Sequence, residues 1–509
     1  MTTGPAADSG NAARLPNAQT PAPRPDADTR SARKAALKEL AVVFAVCAAI
    51  KAVFLFFDHA LFLFSDSSTY TTLAQYLREV DPYRPPGYAW IIRLIWVVTG
   101  DTGLQPIVYV QAVFGALTAL VAYAFCKFNL RSPAWISWLA TITVAASPFN
   151  LQLERMLVAE GIGLFALAAS VFFQVWTAQR QSLWSAVVLG VCIAATVLFR
   201  GIWSYLGYIA PALIIIAGIF GAGPSKRRAI ACAAIALISY LVPYQAYCCH
   251  FSYRMFGTYF AKPLRATTAQ GVVFWGRAIP LLQKGDLREF PWGKRLEQLT
   301  LPYKHKDYVW QFWSNDAAMP TPKFMAERGL LLQDADELLR NAARAVITRH
   351  KAEFMQLVID SALKAVKPSV RNQVVSIKKK AEFEIHLRKF RHAGIDTDGL
   401  EWPEGAPPEQ PTIFHKAMNA WLYLKPVALV LACLGGVLAL LRPGRRFPLL
   451  VLTALSTSHV LLLVITLADP LERYYQPVEF LSVLTAATLL TMLLAKRGAH
   501  NRQSQESGA

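Results

Sequence analysis

Apolar residues in this chain gather in runs of about twenty, the length a helix needs to cross the hydrocarbon core of a bilayer. Their flanks separate ten such runs, near residues 40–64, 107–125, 134–149, 157–175, 184–199, 203–220, 230–248, 421–441, 447–467 and 478–494. Backbone inside lipid has to satisfy its own hydrogen bonds, and in runs of this length helices do so segment by segment. With 54% hydrophobic and 17% charged residues over 509 positions, the chain reads as an all-α integral membrane protein of about ten transmembrane helices. A large water-soluble enzyme is excluded on the same grounds.

Charge sets the expected topology. Basic residues collect at Arg33, Lys34 and Lys38, at Lys127 and Arg131, at Arg180, at Lys226, Arg227 and Arg228, at Arg442, Arg445 and Arg446, and at Lys496 and Arg497. Threading the spans from an inside N-terminus puts every group on one face, as the positive-inside rule requires, so both termini are expected in the cytoplasm. These flanks and contact with anionic membrane lipids account for the net charge of +19. No basic-aromatic recognition module accompanies it, so nucleic acid is not expected as a partner. The seven cysteines form no disulfide framework: Cys47, Cys126, Cys192, Cys232 and Cys433 lie inside apolar runs, and Cys248 adjoins Cys249.

Residues 1–36 hold almost no large apolar side chain and read as a disordered cytoplasmic tail. The first apolar run is too long for a signal-peptide core and lacks a small-residue cleavage site, so it is read as a retained anchor. Residues 37–250 form an N-terminal transmembrane module with a first outward loop at 65–106. Residues 251–420 form a large outward loop region of mixed or mainly helical structure, with an amphipathic helix expected at 335–366 and a basic stretch at 378–391. Residues 421–495 supply the last transmembrane helices, and 496–509 a second cytoplasmic tail. In the first loop, 89–98 is too short to span and sets Arg93 between Trp90 and Trp96, the pattern of a helix lying in the interface. Pro85 and Pro86 suit its entry, where no amide donor is needed.

The unusual polar residues fall on the outward face. Asp66 is expected where the first span meets that surface, with Tyr70 on the same helical face one turn on. Arg84, Arg200 and Arg473 stand at outward ends of spans, where guanidinium groups bind phosphate oxygens in pairs; for Arg200, snorkelling to the interface is an equal reading. Glu160 is expected about one turn inside the membrane boundary, where an unpaired carboxylate is expensive. Glu154 and Arg155 either pair with each other or meet lipid headgroups. Asp66 with Glu154 and Glu160 also makes an oxygen set for a divalent metal, with the ligand count left open. Lys51, in mid-span, either packs against a polar partner or snorkels. His459 is expected to be hydrogen-bonded inside the bundle, Asp334, Asp336, Asp396 and Asp398 read as solvated acids, and the segment from His350 to Phe354 reads as a charged helical turn.

Four elements carry a resemblance: the Asp66, Tyr70, Ala74 spacing; Arg84-Pro85-Pro86-Gly87-Tyr88; Glu160 after its short turn; and Arg473-Tyr474 before the last run. Together they resemble the C-type (GT-C) superfamily of glycosyltransferases that use lipid-linked sugars, which includes protein O-mannosyltransferases and the lipid A aminoarabinose transferase. The resemblance implies a multi-pass enzyme of the bacterial inner membrane with a periplasmic active site. It would move a hexose or pentose from a polyprenyl-phosphate donor to a periplasmic acceptor, a lipid, glycan or protein hydroxyl. Asp66, as base, and Glu160 would be catalytic; Arg84, Arg473 and Arg200 would hold the donor phosphate, with Tyr70, Tyr88, Glu154 and Tyr474 in support. No cofactor is implied beyond the divalent metal. Two other classes stay open: an O-antigen ligase or polymerase using lipid diphosphate donors, and a lipid or sugar transporter.

Overall fold

The computed structural model describes residues 26–57, 63, 66–76, 80–81, 84–260, 270–304, 320–330, 332–366, 380–397, 446–466 and 476–506, with isolated positions between 427 and 441. Every regular element among them is helical, and the protein is an all-α membrane protein. Two units are distinguishable. Residues Met1–Val42 contribute the start of helix α1 (Asp26–Phe57), and Val43–Ala509 hold its remainder and every other described element.

Of the ten apolar runs, six become helices long and apolar enough to cross a membrane among the described residues: Ser31–Phe57, Gln105–Asn129, Glu160–Arg180, Gly201–Ile219, Lys226–Phe256 and Gln476–Ala495. Two more, Leu183–Phe199 and Phe447–Leu463, are shorter apolar helices. The run at 421–441 lies mostly outside the described residues. The run at 134–149 does not form one helix. Pro148 lacks an amide donor and clashes with a preceding helical turn. The chain therefore breaks into α5 (Ala134–Ala145) and α6 (Pro148–Leu153), whose cap is Ser147 accepting from the Asn150 amide at 3.3 Å.

Both ends of α1 depart from expectation. It starts at Asp26, so residues 26–36 are helical rather than tail, and it ends at Phe57, so Asp66 does not close it. Asp66 instead precedes a separate short helix, α2 (Ser67–Gln75). Helix α3 (Gly87–Thr99) opens at Pro86, as the Pro-Pro pair predicts, and is two-faced: Tyr88, Ile92, Ile95 and Trp96 are buried, whereas Trp90, Leu94, Val97 and Val98 are exposed. The bundle behind it comprises α4 (Gln105–Ala124), α7 (Glu160–Arg180), α8 (Leu183–Phe199), α9 (Leu206–Ile219) and α10 (Lys226–Phe256). In it α8 packs between α7 and α10, and α4 packs on α7. Helix α10 runs past residue 250 into the segment read as loop.

The 251–420 region is helical where described: α11 (Gln270–Ala278), α12 (Gly293–Thr300), α13 (Pro320–Arg328), α14 (Leu332–Arg349), α15 (Lys351–Val366) and α16 (Lys380–His392). Trp275, Leu282, Leu296, Phe324, Leu339 and Val346 form a core of its own. The expected amphipathic helix is two helices parted at His350, whose Nε2 lies 3.0 Å from Asp286. Asp336 is not a solvated acid. It is fully buried, accepting from the Gly271 amide at 2.5 Å and from Arg340 at 2.7 Å. Asp398 lies outside the described residues.

Two contacts fasten this region to the bundle. Val358 of α15 shares a core with Leu463 of α17 (Phe447–Thr466) and Val478 of α18 (Gln476–Glu506). Phe383 and Phe390 of α16 join Tyr70, Leu73 and Ala74 of α2 and Tyr88 and Ile92 of α3 in another. The Asp396 amide, just after α16, donates to Thr102 just after α3 at 3.2 Å. The helix behind Asp66 is thus sandwiched between the bundle and α16. His459 is buried, with Nδ1 3.3 Å from the Tyr205 hydroxyl, the interior hydrogen bond expected of it.

Candidate active site

The Asp66 carboxylate accepts a hydrogen bond from Nη2 of Arg84 at 2.5 Å. The start of α2 and the entry to α3 are thereby clamped together. Asp81 supports the clamp, its Oδ1 accepting from the Arg84 amide at 2.7 Å and lying 3.8 Å from Nη1. Burial alone would lower the Arg84 pKa, but Asp66 foremost, then Tyr70 and Asp81, hold it well above its ordinary value. Arg84 is therefore a fixed cation at any accessible pH. Its guanidinium carbon stands 5.8 Å from the Tyr70 ring centre, and Tyr70 meets Tyr88 edge to face at 5.0 Å. A cleft beside Arg84 is walled by Leu73, Val80, Pro86, Trp90 and Tyr247.

A second ion pair lies on neighbouring chain segments. Glu160, the first residue of α7 and 3% exposed, binds Arg200, which ends α8 in extended backbone before the tight turn Gly201–Tyr205. Two close approaches bring the pairs together. A Cβ at Gly201 would lie 3.6 Å from Pro85, and one at Gly87 would lie 2.7 Å from the Leu198 carbonyl oxygen. Arg84 and Arg200 thus sit on chain segments that touch, each next to its own carboxylate.

Between α6 and α7 runs a buried connector, residues 154–159, and the structure ties it down in ways the sequence does not foretell. Lys51 of α1, 2% exposed, donates to Glu154 at 2.7 Å, which settles its open reading in favour of a polar partner. Glu154 therefore pairs with Lys51 and not with Arg155. Arg155 is buried with its guanidinium 4.9 Å from the Phe54 ring centre, one turn along α1. Gln111 of α4 donates to the carbonyls of Glu154 and Met156 at 2.8 and 2.9 Å and accepts from the Tyr88 hydroxyl at 3.0 Å. Ser67, beside Asp66, donates to the Leu157 carbonyl at 3.0 Å. One signal for the Lys51 pair was present: a cation in mid-span needs an anion, and outward carboxylates are few.

The start of α18 docks here too. Glu479 accepts from Ser147 at 2.7 Å, and Gln476 donates to Asn150 at 2.9 Å. Sequence reasoning missed both, since Glu479 reads as one more polar residue at the head of an apolar run. Arg473 and Tyr474 lie outside the described residues.

The oxygen set read for a divalent metal is Asp66, Glu154 and Glu160. Among the described residues no three His, Cys, Asp or Glu side chains come together to hold one. Asp66, Glu154 and Glu160 each face a separate basic partner, Arg84, Lys51 and Arg200, which already neutralises the charge a cation would seek.

These groups also share an end of the bundle. Gln111 lies near the start of α4 and Glu160 starts α7, while Lys127 follows α4 and Arg180 ends α7. Arg200 follows α8 and Tyr247 lies late in α10, while Lys226 begins α10. Site residues and the basic flanks occupy opposite helix ends.

Residues 83–247 match the family model described as dolichyl-phosphate-mannose-protein mannosyltransferase. The matched segment holds Arg84, Tyr88, Gln111, Glu154, Glu160 and Arg200, and leaves Lys51, Asp66 and Arg473 outside. Over that segment it bears out the superfamily resemblance carried by Arg84-Pro85-Pro86-Gly87-Tyr88 and Glu160. No curated protein matches the chain by sequence. Among solved structures, the archaeal oligosaccharyltransferase AglB from Archaeoglobus fulgidus, in complex with an inhibitory peptide and a dolichol-phosphate, is 12% identical with a TM-score of 0.45 over 92% of this chain. This chain spans about half of that protein, 52% of its length. ArnT from Cupriavidus metallidurans, bound to undecaprenyl phosphate, is 13% identical with a TM-score of 0.34, over 89% of this chain and 78% of its own.

Proposed function

We propose that this protein is a membrane glycosyltransferase that moves a monosaccharide from a polyprenyl-phosphate carrier to an acceptor hydroxyl on the extracytoplasmic side of the bacterial inner membrane. The observation that carries the reading is the Asp66–Arg84 pair at 2.5 Å, adjoining Glu160–Arg200. Transfer needs a base for the acceptor proton and cations for the phosphate that leaves. Here the Asp66–Arg84 pair and Arg200 lie on chain segments that touch, beside a small cleft lined by Asp81 and Arg84 as well as apolar side chains. Guanidinium groups so placed suit a phosphate. The family match over residues 83–247 points the same way.

In the reaction, the acceptor oxygen attacks the anomeric carbon as the bond from that carbon to the phosphate oxygen breaks. The acceptor proton passes to Asp66, and polyprenyl phosphate leaves with its charge balanced by Arg84 and Arg200. A guanidinium carries five N–H donors, and Asp66 and Asp81 face only the Nη atoms of Arg84. Its side chain remains 22% exposed, leaving an open side for phosphate. Arg84 orients the Asp66 carboxylate through their hydrogen bond. Glu160 orients Arg200, and Tyr70 and Tyr88 wall the pair from behind. Arg473 and Tyr474 complete the reading, as a further phosphate cation and its neighbour ahead of α18.

The test is transfer from a synthetic short-chain polyprenyl-phosphate sugar in proteoliposomes. Asp66→Asn should abolish product while leaving insertion and the elution profile unchanged; an active variant removes Asp66 from catalysis. Arg84→Ala should raise the KM for donor at least tenfold and leave that for acceptor within twofold, by about the size of one charge-assisted contact. Turnover of a diphosphate donor in preference to the monophosphate would instead assign the site to a ligase or polymerase.

A further inference from the structure

Helix α1 is the least buried of the candidate spans among the described residues, with 17% of its apolar window buried. The stripe it does bury is Val43, Cys47 and Lys51, successive turns of one face, with Phe54 half-buried beyond them. Two apolar residues and a lysine make an odd docking face. An ammonium in that position gains nothing from lipid and is costly unless an anion meets it.

The anion is Glu154, and its seat is prepared. Gly115 of α4 faces the carboxylate so closely that a Cβ there would overlap Oε1 and lie 2.9 Å from Oε2. A glycine inside a helix is destabilising relative to alanine, so the position gives up stability to make room for this group. Gln111, one turn earlier on the same face of α4, holds the Glu154 and Met156 carbonyls, and Phe54 of α1 covers Arg155. The turn at 154–156 is gripped by α1 on one side and α4 on the other. From it the connector leads within a few residues to the Leu157 carbonyl, which holds Ser67 next to Asp66, and to Glu160, which holds Arg200.

We propose that Lys51 and Glu154 are positioning residues: their buried ion pair fixes the connector and thereby sets the placement of both Asp66 and Glu160. Neither touches the reacting atoms. The inference rests on the transferase reading for its catalytic consequence but not for its structural one. A displacement of an ångström in a positioned group costs on the order of tenfold to a hundredfold in rate, and the pair acts on both carboxylates at once.

Two measurements on the full-length protein in nanodiscs test it. Hydrogen exchange read by mass spectrometry should show the amides of 154–160 losing protection by about tenfold or more in Lys51→Met, with Lys51→Arg restoring it. In proteoliposomes Lys51→Met should lower kcat about tenfold or more with the donor KM within twofold, and Lys51→Arg should recover most of kcat. If Lys51→Met fails to purify, Glu154→Gln, which keeps shape and removes charge, should give the same two changes. Unchanged exchange across 154–160 overturns the proposal, as does a fall in thermal stability with kcat unaltered. Should exchange respond while wild-type protein transfers no sugar from any lipid phosphate, the transferase reading falls and the positioning pair stands.

Discussion

Replacing Gly115 by alanine puts the buried ion pair to a quantitative test. The new methyl overlaps Oε1 and Cδ of Glu154, so the carboxylate has to swing away. In a flexible, solvated glutamate that motion is nearly free. Here the carboxylate is bound to Lys51 at 2.7 Å, both side chains are almost wholly buried, and clearing the methyl stretches the pair to about 4 Å. At an effective dielectric of about 20 the attraction falls from about 6 to about 4 kcal/mol, a loss of about 2. Residual crowding adds about 1 kcal/mol, and the better helix propensity of alanine returns about 1. The net destabilisation is therefore about 2 kcal/mol. In a Lys51→Met, Glu154→Ala background the clash and the pair are both gone, and the same substitution should stabilise by about 1 kcal/mol through propensity alone. Unfolding from mixed micelles with increasing SDS, followed by tryptophan fluorescence, measures all four proteins. The diagnostic quantity is the difference of about 3 kcal/mol between the two backgrounds. Equal effects in both, within about 0.5 kcal/mol, would refute the argument that Gly115 exists to seat that carboxylate.

Gly87→Ala meets backbone, the Leu198 carbonyl at 2.7 Å, so α3 and α8 have to part; an SDS titration should show a loss of about 1–3 kcal/mol and no rescue by a second side-chain change. Asp336→Ala leaves the buried Gly271 amide without its acceptor and should lower the melting point by the equivalent of about 1–3 kcal/mol, whereas Arg340→Gln, at a side chain that is itself a third exposed, should cost under about 1. In intact cells a membrane-impermeant maleimide should label Asp101→Cys, in the exposed turn after α3, and spare Arg131→Cys until the membrane is permeabilised; the reverse order would invert the proposed orientation.

What was legible beforehand follows from how local each signal is. The helical class and the entry of α3 at Pro86 came from runs and prolines a few positions apart. Asp66 and Arg84, eighteen positions apart, share one short loop, so their meeting was within reach of sequence reasoning. Lys51 and Glu154 are separated by 103 positions and Ser147 and Glu479 by 332, and nothing in a residue's neighbours reports a partner at that distance. Asp336 misled because its spacing with Asp334 looks like a solvated acidic pair, while its actual partners are a backbone amide 65 positions earlier and an arginine one turn on. Apolar residues continue to Phe64, yet Leu63 already stands outside regular helix: hydrophobicity marks where lipid is tolerated, not where the helix stops.

The cover that α16 lays over α2 bears on how such a chain is made. Leu73 and Ala74 emerge from the ribosome early, but Phe383 and Phe390, which bury them, follow some three hundred codons later, roughly fifteen seconds or more at ordinary synthesis rates. For all that interval Leu73 and Ala74 lack the α16 side chains that share their core. The corner that holds Asp66 gains that cover only once the second half of the polypeptide has been made.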